Sequence, residues 1–132
     1  MNQELFLKAK EECKNSYPIF SHFEVSAAIL LKNGDIVVGC NIEISSYGLT
    51  LCAERCALFK AYSDGIRKED ISEILIYHPG NDNLAYPCGA CRQVMADLMK
   101  LECKVTVAND ECFEEFTVDE LLPKSFQPED VR

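Results

Sequence analysis

The chain has 132 residues, 48% of them hydrophobic, and a formal net charge of −9. That is enough for one domain with a real core over 1–132, too short for two ordinary ones, and too apolar for a disordered chain. No apolar run reaches the length of a membrane span. The acidity, with no dense Lys/Arg patch, disfavours a polynucleotide groove, which needs cations to replace released counterions.

Met1-Asn2-Gln3-Glu4-Leu5 lacks the basic-then-apolar layout of a signal peptide. The expectation is therefore a cytoplasmic protein with reduced thiols, despite eight cysteines. Residues Gln3 to Asn15 read as a helix with a weak apolar stripe through Leu5, Ala9 and Cys13. Tyr17-Pro18 ends it, because a residue before proline resists the helical region. Val25 to Lys32 reads as a strand covered on both faces. Asn33-Gly34 is a strong hairpin signal, which makes Ile36 to Ile42 the antiparallel partner. Glu43 to Thr50 is polar loop. Leu51 to Ser63 reads as a second helix closed by Asp64-Gly65, and Ile71 to Tyr77 as a third strand. His78 to Asn83 is loop by composition, and both histidines are read as surface or loop residues.

Pro87 suits the first position of a helix, and Cys91, Val94, Met95, Leu98 and Leu101 keep helical spacing through about Lys100. Val105 to Ala108 and Glu111 to Thr117 are strands four and five, joined too closely for a crossover and so antiparallel. Val118 to Leu122 starts a last short helix, stopped by Pro123. The order predicts an α/β fold: one five-stranded mixed sheet with helices on both faces, α/β/α in layers. Strands three and four should run parallel through the helix of Cys88.

The chemistry concentrates in Leu51-Cys52-Ala53-Glu54-Arg55 and Pro87-Cys88-Gly89-Ala90-Cys91-Arg92. Thiolates are preferred ligands of zinc, and a C-x-x-C pair can grip one ion. Cys52, Cys88 and Cys91 would leave a fourth tetrahedral position open, as a catalytic site requires. A water held there becomes acidic enough to attack near neutral pH, and Glu54 can serve it as proton shuttle. Three thiolates on Zn²⁺ total −1, which works against that acidity. Two helix N-termini and a hydrogen bond from Arg55 to a thiolate would offset it. Cys56 offers an alternative, a closed four-cysteine structural site. Cys13, Cys40, Cys103 and Cys112 are read as small buried or half-buried hydrophobes.

Cys-Ala-Glu followed by Pro-Cys-x-x-Cys is the signature of zinc-dependent nucleobase deaminases. The two segments resemble in particular the homotetrameric cytidine deaminases. The resemblance continues in Gly39-Cys40-Asn41-Ile42-Glu43, in Ser46-Tyr47-Gly48-Leu49-Thr50, in Phe23 before Val25-Ser26-Ala27-Ala28, and in Leu121-Leu122-Pro123-Lys124-Ser125-Phe126. It runs in family order from about Tyr17 to Asp130. It implies a cytidine-deaminase-like fold with one Zn²⁺ per subunit on Cys52, Cys88 and Cys91. It also implies attack by the activated water at C4 of cytosine, loss of ammonia, and proton transfer by Glu54. Asn41 and Glu43 would bind the ribose hydroxyls, Phe23 would pack on the base, and Ala53 would contact substrate. Phe126 would reach the site of a neighbouring subunit in a homotetramer. The implied partner is a small nucleoside, with no nucleic acid and no membrane.

Three positions depart from the family pattern: Ser26 where glycine is usual, Ile44 for a polar residue after N-x-E, and a shifted Pro18. All three are expected around the substrate pocket, where they would bear on substrate preference. Two further readings follow from the same residues. One is a deaminase of a modified cytosine nucleoside such as blasticidin S. The other is a non-catalytic zinc-bearing assembly domain, which an intact Glu54 disfavours.

Overall fold

The structure, a computed structural model, describes residues 1–131. Helix α1 (Gln3–Glu12) begins at Asn2, whose side chain accepts from the Leu5 amide at 3.0 Å. It tightens into a 3-10 turn over Cys13–Asn15, a common way for a last turn to satisfy its carbonyls. The expected helix to Asn15 is therefore α-helical only to Glu12.

Strands β1 (Ser26–Leu31) and β2 (Ile36–Cys40) form the expected antiparallel hairpin, with Ala28 opposite Val38. Its loop holds Lys32, Asn33 and Gly34. The Leu31 carbonyl accepts from the Gly34 amide at 3.0 Å, and the Leu31 amide donates to Asp35 at 2.9 Å. Gly34 alone in this loop takes positive φ, +96°, so the turn is not the two-residue type that needs positive φ at both centres. Ile42 lies beyond β2 and makes isolated bridges to Tyr17 and Leu51.

Strand β3 (Ile71–Tyr77) pairs antiparallel with β1 and parallel with β4 (Lys104–Ala108). Strand β5 (Phe113–Thr117) returns antiparallel on β4. The sheet order is β2-β1-β3-β4-β5. Glu111 and Cys112, expected in the last strand, belong to the turn before it. There the Asn109 side chain accepts from both their amides, at 2.9 and 2.8 Å. Cys112 is consequently exposed, against the expectation of a buried thiol, whereas Cys13, Cys40 and Cys103 are buried.

Helix α2 (Ala53–Ser63) precedes β3, α3 (Gly89–Leu98) crosses from β3 to β4, and α4 (Val118–Leu121) follows β5. Thr117 and Glu120 close α4 with reciprocal side-chain to backbone bonds. Pro87 does not open α3. It precedes the N-cap, because Cys88 takes an extended backbone and its sulfur accepts from the Cys91 amide.

Strand alternation divides the core. Ala27, Ile29, Ile74, Ile76, Val105 and Val107 pack in the cluster that includes Ala57 and Leu58 of α2 and Met95 of α3. Ala28, Leu75 and Tyr77 pack with Leu5 and Ala9 of α1 on the other face. Beside that second cluster, Tyr77 donates to Asp110 at 2.6 Å, and Lys10 and the Gly80 amide bond the same carboxylate. The Tyr77 hydroxyl, then Gly80 and Lys10, hold Asp110 down to about 2. At the edge strand β2, Lys60 reaches from α2 to the Val38 carbonyl at 2.5 Å.

One glycine sets the distance between β2 and α2. A Cβ on Gly39 would stand 2.5 Å from the Ala57 nitrogen and 3.0 Å from the Ala53 carbonyl oxygen. Both are backbone atoms and cannot turn aside. Gly39→Ala should therefore push α2 off the sheet and cost about 2 kcal/mol or more. The urea midpoint would fall accordingly, and an unchanged midpoint would show that the helix has room to move.

Candidate active site

Two helix starts meet at one point. Cys52 is the N-cap of α2 and Cys88 the N-cap of α3, both with extended backbone. Cys91 follows in the first turn of α3 and is fully buried. The three sulfurs lie within 4.8 Å of one another, with Cys52 and Cys88 3.9 Å apart. Four-coordinate zinc with ordinary Zn–S bonds sets its sulfurs about 3.8 Å apart. The donor set and its spacing thus fit the ion that the residues imply. Among the described residues Cys56 does not join the group, so the structure does not build a four-cysteine site.

The electrostatics favour thiolates. Both helix N-termini direct partial positive charge at the sulfurs. Arg55 Nη2 donates to Cys52 Sγ at 3.3 Å. The Cys52 thiol is held down to about 5, first by its hydrogen bond with Cys91 and further by Arg55. Cys91 moves the opposite way, raised by that same bond and by burial.

Glu54 sits in the first turn of α2 and is only 4% exposed. Burial pushes its carboxyl up to about 7. A group so placed can both accept and give a proton near neutrality.

Cys52, Ala53, Glu54 and Cys88 border a cavity of ≈ 540 Å³, within the range of small-molecule sites. Phe23, Asn41 and Glu43 line it too. The structure thus brings together seven of the residues singled out in the sequence, with Cys91 and Arg55 directly beside them. Phe126 is not among them. It stands 57% exposed outside the cavity, its carbonyl accepting from Gln93 Nε2 at 2.8 Å.

Asn41 and Glu43 are fixed by the segment they face. Asn41 donates to the Phe23 carbonyl at 2.8 Å and accepts from the Val25 amide at 3.1 Å. One of its N–H groups remains for a ligand. Glu43 accepts from the Phe20 and Ser21 amides at 2.8 and 2.9 Å and from the Ser21 hydroxyl. These bonds, the Ser21 hydroxyl first, hold its carboxyl below the usual range.

The three departures from the family pattern do not line the cavity, contrary to expectation. Ser26 points to the α1 face, where its hydroxyl donates to the Ala9 carbonyl at 2.5 Å. Ile44 is partly exposed, and its amide donates to Thr50 Oγ1. Pro18 lies in the segment that Glu43 secures, its carbonyl accepting from His22.

Other cavity residues escaped the sequence reading: Ser21, Leu84 and Tyr86 line the wall. His78, read there as a surface or loop residue, is half-buried and stacked on Phe23, with ring centroids 3.9 Å apart and planes 6° from parallel. Topology carried a signal for it. Ligands of sheets with parallel strands sit just beyond the carboxyl ends of those strands, and His78 is the first residue after β3.

Residues 1–107 match the family model described as the cytidine and deoxycytidylate deaminase zinc-binding region. A cytidine deaminase of Halalkalibacterium halodurans is 45% identical over 133 residues, covering 99% of this chain and 98% of that protein. A blasticidin-S deaminase of Bacillus cereus is 30% identical across 93% of this chain and 90% of its own length. The crystal structure of a cytidine deaminase from Burkholderia pseudomallei matches with a TM-score of 0.90 at 36% identity, covering 96% of this chain and 99% of that one.

Proposed function

The chain belongs to the cytidine and deoxycytidylate deaminase family, and on that footing we propose how its cavity works. The reaction is the zinc-dependent hydrolytic deamination of cytidine or deoxycytidine to uridine or deoxyuridine and ammonia, consistent with pyrimidine salvage. Cys52, Cys88 and Cys91 hold the zinc, one ion per subunit. When bound, it supplies the Lewis acidity that readies a water for attack on C4 of the pyrimidine.

Glu54 moves the protons. It takes one from the attacking water, gives it to N3, and then carries the second to the exocyclic amine, which leaves as ammonia. Its burial keeps the carboxyl near the pKa such traffic needs. Phe23 packs on the pyrimidine ring, and Ala53 contacts the base from the start of α2. Asn41 and Glu43 bind the ribose hydroxyls with the capacity their bonds to the 20–25 segment leave. Arg55 neutralises part of the thiolate charge through Cys52. Phe126, outside its own cavity, completes that of a neighbouring subunit in a homotetramer. The chain acts as a single domain over 1–132 in the cytoplasm, on a free nucleoside and not on a polynucleotide.

One observation carries this reading: a buried carboxyl, Glu54, beside three convergent thiols, two of which border one cavity of ≈ 540 Å³. The test is ultraviolet-monitored conversion of cytidine by the zinc-loaded protein. Absence of conversion with zinc bound would overturn it. The Bacillus cereus relative supports blasticidin S as a second substrate for the same assay. Conversion of blasticidin S alone would shift the reading to that nucleoside.

A further inference from the structure

The Phe23 backbone is held by Ser21 and Asn41, and these bonds leave the orientation of its ring to side-chain contacts. His22, the residue before it, has φ +58°, a conformation that residues other than glycine seldom adopt. The ring is 37% exposed and borders the cavity. What covers it from outside the cavity is the imidazole of His78, nearly parallel at 3.9 Å.

His78 is anchored twice. Its amide donates to the Ala108 carbonyl at 3.1 Å, which ties its backbone to the end of β4. Its Nδ1 lies 2.6 Å from the Glu24 carbonyl oxygen. A carbonyl can only accept, so Nδ1 carries the proton and the ring plane is set by that bond. The imidazole is therefore a sheet-mounted plate against which a loop-mounted ring rests.

We propose that His78 is a positioning residue for the nucleoside: it holds the Phe23 ring at the angle at which that ring meets the pyrimidine. The proposal rests on the role given to Phe23 above. It assigns His78 no part in proton transfer, since His78 acts through Phe23 and does not itself line the cavity.

The experiment compares zinc-loaded wild type, His78→Ala, His78→Phe, Phe23→Ala and the double variant His78→Ala/Phe23→Ala. It measures kcat and KM for cytidine, equilibrium binding of uridine by calorimetry, and zinc content. For His78→Ala, KM and the uridine Kd should rise about 3- to 10-fold, the scale of one aromatic stack. Its kcat should stay within about twofold, because the proton-transfer machinery is untouched. His78→Phe restores a flat ring and should recover most of the affinity. In the Phe23→Ala background, His78→Ala should add nothing to the uridine Kd. An unchanged Kd, an equal loss in both backgrounds, or a fall in kcat together with zinc content would each overturn the proposal. A wild type that neither converts cytidine nor binds uridine would instead overturn the reading of the cavity, and the role of His78 with it.

Discussion

Glu54→Gln should keep the fold and the zinc and lose about 10³- to 10⁴-fold in kcat for cytidine. The amide has the carboxyl's shape and keeps its place in the first turn of α2, but it cannot take a proton and return it. The other carboxyl on the cavity wall, Glu43, is engaged by the Phe20 and Ser21 amides and the Ser21 hydroxyl. Cys52 and Cys88 are the sulfurs proposed for the metal, and the Asn41 amide is not an acid or base near neutral pH. The substitution also removes an ionisable group that is 4% exposed, so thermal stability should hold or rise, since a buried charge is costly. Zinc content near one per chain with activity within about tenfold of wild type would remove Glu54 from the proton path.

Cys88→Ala should abolish stable zinc binding, while Cys56→Ala should leave it intact. Losing an outer partner of a metal ligand costs roughly 10- to 100-fold in affinity, and losing one of three ligands should cost more. The contrast with Cys56 matters because that residue lies one helical turn from Cys52 yet outside the sulfur cluster. A metal that binds only the folded chain stabilises it by about 4 kcal/mol at a thousand times its dissociation constant. Wild type and Cys56→Ala should therefore melt higher with zinc than after chelation, and Cys88→Ala should show no such difference. Zinc retained by Cys88→Ala, or lost from Cys56→Ala, would mean a different ligand set.

Much of this could be read from local signals. The helices that carry Cys52 and Cys88 are legible, but their starts read early, at Leu51 and Pro87, where the structure makes the two cysteines the N-caps. The mostly apolar run from Val25 to Lys32 announced a strand covered on both faces. Two errors came where a side chain took a backbone bond three residues away. Pro87 looked like a first helical residue until Cys88 took the cap with its own sulfur. Cys112 looked like a core thiol until the Asn109 side chain drew the chain into a turn. Ser26 was expected at the pocket, yet strand parity already spoke against it. Ala27 and Ile29 face α2, so Ser26 and Ala28 must face α1. The stack of Phe23 on His78 joins residues far apart in sequence, and only the strand order brings them together. The role proposed for Phe126 would need a second subunit, and within one chain the residue stands outside the cavity.

The two rims of the sheet restrict how copies of this chain can associate. An open strand edge is a template for another strand. Here the β2 rim has a lysine on one of its carbonyls. Strand β5 at the other rim carries Glu114 and Glu115 on opposite faces, the former bonded by Tyr86 and the latter engaged by Lys104 and the amino terminus. A strand arriving at either side meets charge before it finds a hydrogen-bond ladder. Growth into continuous ribbons is thereby discouraged even at high concentration.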